Sequence, residues 1–208
     1  MLKNIVGMIM FIVGLILTIV FLVCDRNKWT ILVWALVLLL LSAIRTVMDI
    51  RDKRSKKFCD AIRENDTDTV QKFLQKKTSL NHAATPNLIS KAANGAWPLS
   101  PFQTACRYGR ADIVKNMMPY KPPVDQAEPY FGFTPLGLAM LNFSERPADS
   151  AEVMTVLLNA GAATDDIDWS KFFPDLLRWK KQISPDEEKK FTDLLTALKE
   201  RGIECPFV

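Results

Sequence analysis

Histidine and cysteine are scarce in this 208-residue chain: His82 is the one histidine, and Cys24, Cys59, Cys106 and Cys205 are scattered without a C-x-x-C pair. Structural zinc sites and disulfide frameworks need such residues at close, recurring spacings, so neither is expected. Glycine is sparse too, with eight in all, and nowhere do glycines build a phosphate-cradling loop or a nucleophile elbow. Without convergent acid, base and nucleophile groups, the chain reads as a non-enzyme with no cofactor and no small-molecule substrate. His82, in Asn81-His82-Ala83-Ala84 beside Thr85-Pro86, reads as an ordinary loop or cap residue. The cluster Asp165-Asp166-Ile167-Asp168 lacks the spaced glycine and terminal glutamate of a calcium loop and reads as a solvated tip.

Charge of either sign is absent from Ile5 to Val23. A helix crossing the hydrocarbon core takes about 20 apolar residues, because every backbone polar group must be satisfied inside the helix. The run 4–24 meets that length, and a second run at 29–47 reaches it if Arg45 snorkels. Only Asp25–Trp29 separate the two, so the expectation is an antiparallel transmembrane hairpin over residues 1–48, with Trp29 as an interfacial anchor. A cleaved signal peptide fits less well, since no small-x-small site closes the first run and an apolar run follows at once. Basic residues crowd the far flank, with Arg45, Arg51, Lys53, Arg54, Lys56 and Lys57 against Arg26 and Lys28 in the turn. The positive-inside rule then predicts an integral membrane protein whose N-terminus and long C-terminal part are cytoplasmic.

The net charge of +4 hides a split: residues 1–57 hold 9 basic and 3 acidic groups, and residues 58–208 hold 18 and 20. Positive charge thus sits beside the expected membrane, where anionic headgroups attract it, and the rest shows no basic stripe for nucleic acid.

Glycine and proline are both missing from Thr46 to Thr85. Within that stretch 48–75 reads as helical, with Phe58, Ala61, Ile62, Val70, Phe73 and Leu74 at helix spacings. Asn65-Asp66-Thr67-Asp68 breaks it into two helices, capped by Asp66 or Thr67. Residues 49–57 form a basic helical join, and with no breaker across 45–63 a rigid or semi-rigid connection into a domain at 58–208 is expected.

The pattern returns after Pro101. Phe58, Ala61, Asp68 and Val70 superpose on Phe102, Ala105, Asp112 and Val114 at an offset of 44 residues. A third copy opens at Thr134-Pro135-Leu136-Gly137-Leu138-Ala139 and continues through Glu152–Ala162, with Asn142–Ala151 as inserted residues between its helices. The second copy opens at Ser100-Pro101-Phe102-Gln103-Thr104-Ala105. These two hexapeptides resemble the threonine-proline-leucine-histidine-x-alanine signature of ankyrin repeats, with Gln103 and Gly137 where that family places histidine. Proline presets φ in the first helical turn, and alanine on the inner helix lets the neighbouring repeat approach. Helices at 169–179 and 184–201 read as a divergent closing repeat, with Ser184-Pro185-Asp186-Glu187 as cap and capping box.

The expected fold class is therefore all-α: a transmembrane hairpin followed by a short ankyrin-like solenoid of about four repeats, the first and last divergent. The resemblance implies a binding scaffold with no chemistry of its own, and the whole looks like a membrane-tethered interaction module of a bacterial inner membrane. Two roles stand open: an immunity protein that neutralises a toxin, or a resident scaffold or accessory subunit whose hairpin packs against a larger membrane complex. Candidate contact residues are the aromatic and acidic groups at expected loop tips: Trp97, Tyr130, Phe131, Asp165, Asp166, Asp168 and Trp169. For Trp97 and Phe131, filling the core beneath irregular loops is an equal alternative. Cys106 is expected buried and inert.

Overall fold

A computed structural model of the chain describes residues 14–15, 28–81, 99–129 and 131–206, with the backbone alone for 28–33. All regular structure among the described residues is helical. The order is α1 (Lys28–Arg63), α2 (Thr67–Gln75), α3 (Pro101–Arg107), α4 (Ala111–Met117), a 3-10 turn at Met118–Tyr120, α5 (Pro135–Leu141), α6 (Pro147–Asn159), α7 (Trp169–Lys180) and α8 (Glu188–Glu200). Two compact units divide the chain, Met1–Arg54 and Ser55–Val208.

Among the described residues no helix is long and apolar enough to cross a membrane. This finding corrects the expected integral membrane placement, the second span expected at 29–47, and the inner-membrane and cytoplasmic assignments drawn from them. The physical reason is charge. From Trp34 onward the apolar stretch of α1 ends at Arg45, and Asp49 and Arg51 follow within two further turns. The expected first span at 4–24 lies outside the described residues apart from Gly14 and Leu15, as does the Trp29 side chain. Arg45, Arg51, Lys53, Arg54, Lys56 and Lys57 are exposed on α1, the usual state of charged groups on a helix surface.

In the second unit the sequence period becomes a repeated turn. Asn65 N–H donates to Ile62 O and Asp66 N–H to Ala61 O, while 44 residues on Gly109 N–H donates to Cys106 O and Arg110 N–H to Ala105 O. Both are paired-bond helix ends with a left-handed residue, Asn65 at φ 59° and Gly109 at φ 63°. Gly161 and Gly202 close α6 and α8 with the same two bonds. Of the two candidate caps for α2, Asp66 holds the place: its carboxylate accepts from Thr69 N–H at 2.9 Å.

The helices pack in two rows. α3 lies on α5, while α2, α4, α6 and α8 follow one another, each against the next. Phe58, Ile62, Phe102, Ile113, Met117, Leu136, Met154 and Leu157 are fully buried between them. Cys106 is wholly buried, and desolvation pushes its thiol far above the ordinary range. Arg110 reaches back across the first turn and donates to the terminal carbonyls of α1, Ile62 O and Arg63 O. A guanidinium there meets the partial negative charge of a helix C-terminus.

Two local expectations change. The insertion 142–151 shrinks to a short connection, because Pro147–Ala151 already belongs to α6, with Pro147 in its first turn. Ser184 does not cap α8, which starts at Glu188. Ser184 N–H does donate to Glu187 Oε2 at 3.4 Å, but Glu187 N–H bonds back to Ser184 O, so the tetrapeptide forms a turn ahead of the helix.

On the outer row, Glu152 of α6 ties its neighbours together: it pairs with Lys115 of α4 and, at 2.8 Å, with Lys190 of α8. Burial raises the Glu152 pKa, but the two ammonium donors outweigh it and hold the carboxyl below its usual range. The hydrogen bond to Glu152, against a smaller desolvation effect, holds Lys190 above its own. A depressed carboxylate stabilises the fold above its unfolded pKa and stops doing so as pH falls through the folded value. The raised Lys190 contributes below its ordinary pKa and loses that contribution at strongly alkaline pH. Glu152→Gln should therefore cost about 1 kcal/mol near neutrality. Urea midpoints of the variant and parent should draw together as the pH falls below the ordinary glutamate pKa and on through the lower folded one; a pH-independent gap would mean that packing, not charge, is what Glu152 supplies.

Candidate functional site

Loops on one side of the second unit and the inner helix α5 enclose an open groove of about 460 Å³. Its residues come from three places. Asp125, Ala127, Gly132, Phe133 and Thr134 belong to the segment leading into α5. Gly137, Met140 and Leu141 are on α5, and the third wall runs from Asp166 through Ile167 and Asp168 to Lys171, Phe172 and Asp175 on α7.

Each wall has a local cause. Thr134 caps α5 by accepting from Gly137 N–H at 3.2 Å, and Pro135 occupies the first helical position. Thr134 is thereby fixed at the groove edge. The equivalent cap in the previous copy is a full capping box: Ser100 Oγ accepts from Gln103 N–H, and Gln103 Oε1 accepts from Ser100 N–H at 3.0 Å. Gln103 also donates from Nε2 to Gln126 O at 2.8 Å, so this side chain tethers the next loop. At the equivalent position of α5, Gly137 carries no side chain. A Cβ there would meet Phe133 Cδ1 at 3.5 Å, an ordinary contact, so its absence leaves room in the groove.

The loop wall is held from within. Buried Glu128 donates its N–H to Phe133 O and accepts at Oε1 from Phe131 N–H, while Gly132, at φ 75°, turns the chain. Asp125 Oδ1 accepts from Ala163 N–H at 2.7 Å, joining this loop to the next one. On the opposite wall, Asp168, Lys171, Phe172 and Asp175 fall on one face of α7 by helical spacing. The Ser170 hydroxyl and then Lys171 hold the Asp168 carboxyl below its usual range. Asp175 pairs with Arg178 at 3.4 Å.

The sequence candidates separate on this geometry. Asp166 and Asp168 line the groove; Asp165 is exposed just outside its lining. Phe131 is 61 % exposed beside the groove, which leaves it on the surface rather than in the core. Trp169 is half-buried: its ring packs edge-on to Phe172, 6.0 Å between centroids, and its indole N–H donates to Thr164 O. Trp97 and Tyr130 lie outside the described residues. Asp125, Phe133, Met140, Phe172 and Asp175 were not among the candidates. Asp175 had a usable signal, lying seven residues from Asp168 on the same helix face; Asp125 is brought in only by tertiary packing. No group of three or more histidine, cysteine, aspartate or glutamate side chains that could hold a metal ion occurs among the described residues.

No family model matches the chain, and neither a curated protein nor a solved structure matches it.

Proposed function

We propose that the helices of residues 58–208 form a short ankyrin-like repeat stack, and that this stack binds a partner protein through the groove between the 125–134 segment and α7. The observation that carries the reading is the groove itself, whose lining includes the apolar side chains of Phe133, Met140, Leu141, Ile167 and Phe172 between loops of successive helix pairs. Support for the repeat comes from the recurrent turn bonds at an offset of 44 residues and from the Ser-Pro and Thr-Pro helix starts. In a repeat stack such loop-side concavities are continuous recognition surfaces, and no reactive group is required of them.

The test is crosslinked affinity capture of the full-length protein, with mass spectrometry of what accompanies it, beside a chain carrying residues 1–57 alone. Proteins captured by the full chain and lost from the 1–57 control are the expected result, and their identity separates a toxin from a subunit of a resident complex. The same set retained by residues 1–57 would overturn the reading.

A further inference from the structure

The groove's chemistry narrows its occupant. Its lining holds four carboxylates, Asp125, Asp166, Asp168 and Asp175, against the single ammonium of Lys171. Three of the four are engaged: Asp125 with Ala163 N–H, Asp168 with Ser170 and Lys171, and Asp175 with Arg178. Asp166 is exposed and has no partner among the described residues, which leaves one acceptor for an incoming cation. Lys171 is 84 % exposed at its side chain, so its pair with Asp168 is a screened surface contact that an incoming charge can displace. Beneath this acidic rim the floor is aromatic and aliphatic.

An acidic rim over an apolar floor suits a side chain that is itself apolar along its stem and cationic at its head. Arginine and lysine have that form, and arginine also stacks on aromatic faces. A groove of about 460 Å³ is larger than one such side chain needs, so residues on either side of it enter as well. An acidic partner surface is excluded by repulsion from the rim.

We propose that the groove receives an arginine- or lysine-bearing segment of the partner protein, its cationic head at Asp166 and its stem over Phe133 and Phe172, with apolar residues flanking it. This rests on the binding-module reading above.

The full chain tests it in fluorescence anisotropy with nine-residue peptide libraries, flanks randomised among Leu, Phe, Ser and Gly, and the central residue set to Arg, Gln or Glu. The Arg library should bind about tenfold more tightly than the Gln library, as one charge-assisted contact provides, and the Glu library should not bind. Asp166→Asn should bring Arg binding down to the Gln level, whereas Asp165→Asn, just outside the lining, should leave it unchanged. Gly137→Leu, which fills the floor, should abolish binding while circular dichroism stays that of the parent. Rising salt should weaken the Arg library more than the Gln library. Equal binding of Arg and Gln libraries would overturn the proposal, as would binding of free arginine in place of the peptides. Proteins captured equally by the parent and by Gly137→Leu would overturn the groove as the binding face, here and in the reading above, while leaving the helix stack as the binding part; capture no different from the 1–57 control would remove the stack as the binding part as well.

Discussion

Replacing Phe143 by alanine should destabilise the second unit by about 3–5 kcal/mol, the usual cost of deleting a buried phenylalanine ring. Phe143 is 1 % exposed and stands just past Asn142, the C-cap of α5. Its ring meets Phe172 edge-on at 4.7 Å and Trp179 edge-on at 5.5 Å, and Trp179 in turn meets Phe191 at 5.3 Å. One side chain thus links the α5–α6 pair to α7 and, through Trp179, to α8. Its removal leaves a void among rings whose positions are set by other helices, so little collapse can fill it. Phe143→Leu retains most of the volume and gives up the edge-to-face contacts, worth about 0.5–1.5 kcal/mol. Urea titration followed by tryptophan emission reads both variants, since Trp179 lies against the altered site. A loss below about 1 kcal/mol for the alanine variant would mean that α7 and α8 are held mainly by other contacts.

Gly109→Ala should be the next largest effect, at about 2–4 kcal/mol. Gly109 sits at φ 63°, and a Cβ there would lie 3.0 Å from Asp149 Cβ and 3.4 Å from Asn142 Nδ2. Two costs add: the left-handed conformation, about 1–2 kcal/mol for an L-residue, and the crowding against α6. Gly161 provides the control, because it is also left-handed, at φ 87°, but has nothing within 4 Å of the added carbon. Gly161→Ala should cost the conformational part alone. The difference between the two urea midpoints isolates the contact with Asp149 and Asn142; equal losses would show that this packing yields freely. At the matching place in the first copy, Asn65 adopts φ 59° while exposed, as an asparagine can.

How much of this was legible in the sequence differs from residue to residue. Local chemistry showed clearly: the 44-residue offset became the same pair of turn bonds, Asp66, one of the two caps read for α2, holds that place, and the Ser-Pro and Thr-Pro openings start α3 and α5. These are short-range matters of φ, capping and period, which neighbouring residues decide. Phe143 was hidden because it stands in a segment that breaks the period, and a period cannot report what an irregular connection buries. Trp169 was misleading for the opposite reason: it is aromatic at an expected tip, but Phe172 three residues on draws it against the core. The groove was half visible. Asp166 and Asp168 announce themselves as an acidic run, whereas Asp125 joins them only because its carboxylate reaches Ala163, 38 residues away. The expected second span failed on charge placement in α1, where Arg45, Asp49 and Arg51 interrupt the apolar residues that hydropathy alone would have extended.

The loops beside the groove are tied in series. Gln103 donates to Gln126 O, Asp125 accepts from Ala163 N–H, and Arg201 donates from the end of α8 to Ala162 O at 2.8 Å. Each bond crosses from one helix pair to the next, so the edge proposed for binding is held by the protein's own contacts. Association then carries little entropic penalty from loop ordering. If the proposed binding role holds, affinity differences among partners are expected in how long they stay rather than in how fast they arrive.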